Sequence, residues 1–567
     1  MKLKFALMGA AASVALIPFS AMAERGASGH LNIIYWQAPS ILNPYLSGGT
    51  KDVDASSLIL EPLARFNEEG VMVPWLAESI PTVENGGVAE DLLSITWVLR
   101  EGLLWSDGTP LTAADAVFSA EYCMHPEGGC AQRRYFNDVT SVEAIDDRTI
   151  RVSFEVPMPV PYGPFVTGYS PIIQAAQFAE CLGPRAPECT QANFYPIGTG
   201  PFVVDDFRPN DVISLSANPN YREPDRPHFA TVTFKGGGDA ASAGRAVMET
   251  GEMDYAWNLQ LAPDVIATMA RGGRGEPVAA FGTLVERIEV NLTDPSPDLP
   301  ADIRSTREAP HPILTDIRVR EALSRAIDRD LLVEIGFGQM GLPTCNLVPA
   351  PAMFASDAND DCLVQDQDRA RELLDEAGWV PGADGIRAKD GVRLVLDYQT
   401  STNAVRQDFQ ALIQQWWREI GVEANLRNIN ASVFFGGDPA SPDTFQRFSA
   451  DVEMYANNFP GADPEQYLGA YLCGREPRPS TQWQGENIPR FCDAEYDALH
   501  QQLSQTASID ERATIARELN DILMQNYVLI PLVHRGRVSA VSATLGGTLL
   551  NTWDVELWNI ADWHRTE

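Results

Sequence analysis

The chain reads as an α/β protein of two or three domains, and three observations predict this. β-prone segments are interleaved with apolar stripes at helical spacing, the pattern of helices packed on sheets. The length, 567 residues, exceeds what one hydrophobic core serves. The apolar share, 45%, is that of an ordinary globular protein and is enough to fill several cores.

The elements follow in order. Lys2 and Lys4 precede an apolar run over 5–19, and Ala21-Met22-Ala23 supplies small residues at a cleavage site. This layout predicts a secretory signal over 1–23, cleaved after Ala23, because a run of about 15 residues falls short of the ~20 that a spanning helix needs. The first cysteine is Cys123, far from that site, so no lipid tether is expected. The product is expected free in the periplasm of a Gram-negative cell. Residues 31–36 and 94–99 read as strands, and Ile150, Val152, Phe154 and Val156 alternate as in a half-buried one. Four prolines over 157–164 then impose a loop.

Helices dominate later. Thr112 is a good N-cap with Asp115 three residues on. Gly236-Gly237-Gly238 reads as a loop before a helix over 241–249. Asp316 precedes a stripe of Val319, Ala322, Leu323, Ala326 and Ile327. Ala370, Leu373, Leu374 and Ala377 repeat the pattern before Gly378, and Phe409, Leu412, Ile413, Trp416 and Ile420 repeat it before Gly421. A helix beginning near Asp510 and a strand over 528–533 follow. No tract is long enough to be a flexible linker, so the domains should sit close, joined by short crossing strands.

Composition narrows the function. The net charge is −35, and beyond the leader only Lys51, Lys235 and Lys389 remain as lysines. Such a surface repels nucleic acid and anionic lipid, and neither is an expected partner. Eight cysteines in an exported chain favour disulfides. Although 105 pairings exist, their clustering predicts sequential bridges: Cys123 with Cys130, Cys181 with Cys189, Cys345 with Cys362 and Cys473 with Cys492. A zinc site needs Cys pairs two to four residues apart, and the spacing supplies none. The histidines are scattered, and nucleophile-elbow, zincin and phosphate-loop motifs are missing. No catalytic residue, metal or cofactor is therefore expected, and a secreted hydrolase is the remote alternative.

Five stretches carry a resemblance. They are Leu42-Asn43-Pro44 with Leu60-Glu61-Pro62-Leu63 and Pro74-Trp75-Leu76-Ala77-Glu78; Leu99-Arg100-Glu101-Gly102 through Trp105-Ser106-Asp107-Gly108-Thr109-Pro110-Leu111-Thr112 to Phe118; Gly198-Thr199-Gly200-Pro201-Phe202 with Asn218-Pro219-Asn220-Tyr221; Arg318-Val319-Arg320 with Ala326-Ile327-Asp328-Arg329; and Glu376-Ala377-Gly378-Trp379. In this order the chain resembles the bacterial extracellular solute-binding proteins of family 5, the dipeptide-, oligopeptide- and nickel-binding receptors of ABC importers. Asn43 stands where the family pattern has Asp.

The resemblance implies a two-lobed periplasmic-binding-protein fold (type II, cluster C) with an additional domain on the first lobe. Lobe I is expected over 24–61, 195–287 and 529–567, the additional domain over 62–194 and lobe II over 288–528. It further implies a monomer that captures a peptide or peptide-like solute between the lobes and presents it to an inner-membrane permease. In peptide-binding members two segments line the cleft, and here they correspond to Gly48-Gly49-Thr50 and Tyr455-Ala456-Asn457-Asn458, with Asp463-Pro464 downstream. Where those members anchor the ligand's amino group on an aspartate, this chain has Asn458, an uncharged amide; Asp463 or Asp451 would be the substitute. The aromatics Trp36, Tyr45, Trp416, Trp417, Tyr455 and Phe459 lie near these segments, and with Asn458 they favour, as the alternative, an oligosaccharide or other neutral polar ligand.

Overall fold

A computed structural model describes residues 24–566; the expected leader, 1–23, lies outside the described residues. Two large sheets organise the chain. The first orders its strands Gly275–Ala280, Arg537–Ser542, Tyr255–Ala256, His30–Tyr35, Thr231–Gly236, Val212–Ala217 and Phe202–Arg208. Its central strand, His30–Tyr35, is covered on both faces. Leu31, Ile33 and Tyr35 enter one core cluster, while Ile34 enters another beneath the helices Ala240–Met248 and Pro263–Ala270. A period of two sends alternate side chains to opposite faces.

The second sheet runs Gly341–Pro343, Leu529–Arg535, Val285–Val290, Val452–Asn457, Val395–Ser401 and Glu423–Ile429. The helical stripes read from the sequence pack against it. Val319, Ala322, Leu323, Ala326 and Ile327 are fully buried, on and just beyond the helix Ile317–Arg325, whose N-cap Asp316 accepts from the Arg318 N–H. The helix Ala404–Glu419 buries Phe409, Ile413, Trp416 and Trp417 in the same cluster. Gly378 and Gly421 follow their helices with φ of 86° and 90°, left-handed stops that a side chain resists.

A third unit, a three-stranded sheet of Ser94–Val98, Thr149–Phe154 and Val139–Ala144, packs on the helix Ala113–Met124 and has its own core. Thr112 and Asp115 form the capping box that starts this helix. All four sequential disulfides are present, each contributing ~2–4 kcal/mol by restricting the unfolded chain. Among the described residues no helix is long and apolar enough to cross a membrane.

The two large sheets are joined at two adjacent crossings. The chain leaves the first sheet at Ala280 and enters the second at Val285, and it returns through Gly536, between Arg535 and Arg537. The crossings run side by side, the Arg535 N–H donating to the Leu284 carbonyl at 3.0 Å, and residues of both line the space between the sheets.

Candidate functional site

Between the two sheets lies a cleft of about 650 Å³, partly open to solvent. The first lobe contributes Gln37, Gly48, Thr50 and Lys51, from the loop after the first strand and the helix Thr50–Ser56, together with Trp257 and Asn258. The second contributes Arg406, at the start of the helix Ala404–Glu419, with Phe435, Phe445 and Tyr455 to Asn458. The crossings supply Leu284, Arg535 and Arg537. A second space of about 530 Å³ adjoins it, sharing Gly48, Phe445, Tyr455 and Asn457 and extending to Arg134, Arg287 and Glu486.

The lobes are shut over this space. The Ser432 hydroxyl donates to the Ala38 carbonyl at 3.2 Å, and the Gly461 N–H donates to the Trp553 carbonyl at 2.7 Å. Asn403 meets Gln260 across the gap, and Arg134 pairs with Glu486 at 2.9 Å. Two glycines permit this approach. A Cβ on Gly49 would stand 2.8 Å from the Phe435 carbonyl oxygen, and one on Gly437 would collide with the Leu46 carbonyl.

The strand Val452–Asn457 is paired along its length with Val285–Val290, whereas its other edge pairs with Val395–Ser401 only through Met454. The backbone from Tyr455 onward therefore presents a free edge to the cavity, the arrangement used in strand addition. The side chains of Asn458 and Gln37, 4% and 5% exposed, make no hydrogen bond to any described residue.

The charges are unusual for so acidic a chain. Lys51, Arg406, Arg535 and Arg537 line the main cavity, and no carboxylate does. Their counter-charges sit behind them. Lys51 Nζ lies 2.8 Å from Asp52 and donates to Ser40. Arg406 Nε donates to Glu286 Oε1 at 2.5 Å, and Arg535 Nε to Glu286 Oε2 at 3.1 Å, so one carboxylate serves two guanidinium groups. Burial opposes charge on Glu286, yet Arg406 and Arg535 together hold its carboxyl below the usual range. Burial pushes Arg535 down to about 10, against the pull of Glu286 and with Arg406 adding to the push. Arg537 donates to the Asn551 carbonyl and stands 3.7 Å from Glu556. Burial raises the neighbouring Asp54 to about 7, Arg537 opposing and Glu556 reinforcing the rise. The pairing of Val285–Val290 with Leu529–Arg535 shifts register between Glu286 and Arg287, beside this cluster.

The residues expected from the sequence fall into two sets. Gly48, Thr50, Tyr455, Ala456, Asn457 and Asn458 line the cavity. Trp36, Tyr45, Gly49 and Phe459 stand behind it. Trp36 donates to the Asn258 carbonyl within a helix-covered core, Tyr45 donates to the Pro171 carbonyl within the third unit's core, and Phe459 packs on Tyr467. Gly49 caps the helix Thr50–Ser56 against the opposite lobe. Asp463 borders a separate space of about 430 Å³ and is paired with Arg512 at 2.7 Å. Asp451 receives the His311 ring at 2.9 Å. Both candidate substitutes for the missing aspartate are thus engaged elsewhere. Trp416 and Trp417 are core. The sequence reading did not reach Lys51 or the three arginines. The one available signal was a scarce lysine directly after Gly-Gly-Thr.

A buried histidine marks the seam between the third unit and the second lobe. His500 lies 3.2 Å from a Glu465 carboxylate oxygen and 3.0 Å from the Glu465 carbonyl. Burial alone would lower its pKa, but Glu465 outweighs this, with Asp138 across the seam adding to the rise. A histidine with a raised folded pKa contributes stability that is complete below its ordinary value near 6.5 and is lost as pH rises through the folded value. The melting temperature should fall as pH rises above about 6.5, and His500→Gln should flatten that slope. Equal slopes in the two proteins would remove His500 as the cause.

Comparison with known proteins places this geometry. Residues 71–477 match the family described as "Bacterial extracellular solute-binding proteins, family 5 Middle". The glutathione-binding protein GsiB of Escherichia coli (strain K12) is 24% identical over 510 residues, covering 89% of each chain. The oligopeptide-binding protein AppA of Bacillus subtilis, solved with a nonapeptide, superposes with a TM-score of 0.81 at 20% identity, over 96% of this chain and 100% of AppA. NikZ of Campylobacter jejuni, solved with Ni(L-His), gives 0.77 at 21% identity over 95% and 100%. The shared two-lobed type II architecture is the expected one.

Proposed function

Because the chain belongs to the family 5 bacterial extracellular solute-binding proteins, we propose that it is the periplasmic receptor of an ABC importer, capturing a peptide or peptide-like solute between its lobes and delivering it to a membrane permease. The observation that carries this reading is the cavity itself: both lobes and both crossings wall it, so it exists only when the lobes are shut. A solute drives closure to the extent that it binds the shut form better than the open one. The free edge at Tyr455 to Asn457 would hold the solute's backbone, and Asn458, Gln37 and Thr50 its polar groups. Lobe I, on this reading, comprises the first sheet and lobe II the second, with the hinge at 281–284 and Gly536; this replaces the expected boundaries at 287 and 529, because Val285–Val290 and Leu529–Arg535 belong to the second sheet. The matched relatives are binding proteins by description, among them binders of glutathione and peptides, which supports a receptor over an enzyme. Nickel is less well served: no histidine lines the cavity, and among the described residues no group of three or more His, Cys, Asp or Glu is placed to hold a metal.

The test is mass spectrometry of solute released from protein purified out of its native periplasm, followed by titration of that solute. At 100 times its dissociation constant it should stabilise the protein by ~2.7 kcal/mol. Absence of any carried solute, with no melting shift across peptide and sugar libraries, would overturn the receptor reading.

A further inference from the structure

The charges around the cavity restrict what the solute is. Four cations face the space and no carboxylate does. Behind them, Asp52 is committed to Lys51, and Arg537 has Glu556 at 3.7 Å with Asp54 also beside it. Glu286 alone answers both Arg406 and Arg535. That trio has one carboxylate for two guanidinium groups, an excess of one positive charge. Arg406 donates further to Glu286 and the Ser401 hydroxyl, which leaves two of its five N–H donors free among the described residues. Arg535 has no acceptor at Nη2, and Arg537 has none at Nε or Nη2, among the described residues. These groups are buried, with Arg535 3% and Arg537 5% exposed. A neutral ligand would seal an uncompensated charge away from water, which is costly. An anionic group on the ligand removes that cost and forms the stronger, charge-assisted kind of hydrogen bond.

Asn458 bears on the ligand's amino group. It is buried, borders the cavity, lacks a protein partner and carries no charge. Asp451 and Asp463 are occupied by His311 and Arg512. Nothing on this wall compensates a ligand ammonium.

Resting on the receptor reading above, we infer that the captured solute is a peptide-like acid with at least one anionic group, held at Arg535 beside Arg406 and within reach of the free Arg537 N–H groups, with no free ammonium seated at Asn458. Selectivity then comes from two sources at once. The cations attract the acid, and the same cations repel any amine that enters the closed space.

The experiment is calorimetry on the mature protein after carried-over solute has been stripped. The probes are N-acetyl-diglutamate, the same peptide with every carboxyl converted to an amide, and trialanine with its free amine. N-acetyl-diglutamate should bind at least 100-fold more tightly than its amide, and more weakly as salt rises. Arg535→Gln should weaken it at least 30-fold; if that variant melts early, Arg537→Gln provides the same reading. Asn458→Asp should weaken it at least 10-fold while improving trialanine. Equal binding of acid and amide, or trialanine preferred by the wild type, overturns the inference and leaves the receptor standing. If no probe binds, the solute carried by native protein decides: an acid supports the inference, and a neutral or cationic solute overturns it. Protein that carries no solute and closes on none overturns the receptor reading, and this one with it.

Discussion

Glu286→Gln should destabilise the solute-free protein by about 3–5 kcal/mol, the range for removing one partner from a buried ion pair. Glu286 is fully buried on the strand Val285–Val290 and bonds Arg406 from the second lobe and Arg535 from the crossing. Glutamine keeps the volume and removes the charge, so no cavity term confounds the measurement. It leaves two buried guanidinium groups facing one amide, which accepts fewer and weaker hydrogen bonds than a carboxylate. Chemical denaturation of solute-free protein reads this directly. A loss below about 1 kcal/mol would place Glu286 with exposed ion pairs and contradict its burial. Anionic solute should recover part of the loss, because the variant has one more unanswered positive charge.

Gly437→Ala should weaken solute binding by about 100-fold and leave the stability of the open, solute-free protein nearly unchanged. The new Cβ meets the Leu46 carbonyl of the other lobe, a contact that exists only in the shut form. Overpacking of this kind costs about 1–3 kcal/mol, and each 1.4 kcal/mol is a tenfold change in affinity. Gly49→Ala, whose Cβ would lie 2.8 Å from the Phe435 carbonyl, should act in the same direction and less strongly. Both glycines have ordinary negative-φ backbone, so alanine brings no strain of its own. Titration paired with denaturation separates the two effects. Undiminished affinity would mean that the lobes close in another way.

Local chemistry was legible from the amino-acid order. Thr112, Asp316, Gly378 and Gly421 act within a few residues of themselves, and each stands where its helix begins or ends. The apolar stripes on 317–327 and 404–420 are buried because a periodic face has only one way to leave water. The cysteines pair sequentially because the loops between them are short. The cleft segments at 48–50 and 455–458 came from the family resemblance, and six of their seven residues line the cavity.

Tertiary structure decided the rest. Trp36, Tyr45 and Phe459 carried the chemistry of a sugar or cation site, but each points into a core. Whether a strand or turn side chain faces the cleft depends on what covers its other side. The cationic wall was hidden for a different reason. Lys51, Arg406 and the Arg535–Arg537 crossing belong to three distant segments, and only the folded chain sets them around one space. Their shared carboxylate, Glu286, lies in yet another segment. Net charge, −35 over the whole molecule, describes its outer surface; the sign of the enclosed field follows from which few charges burial brings together, and folding alone makes that selection.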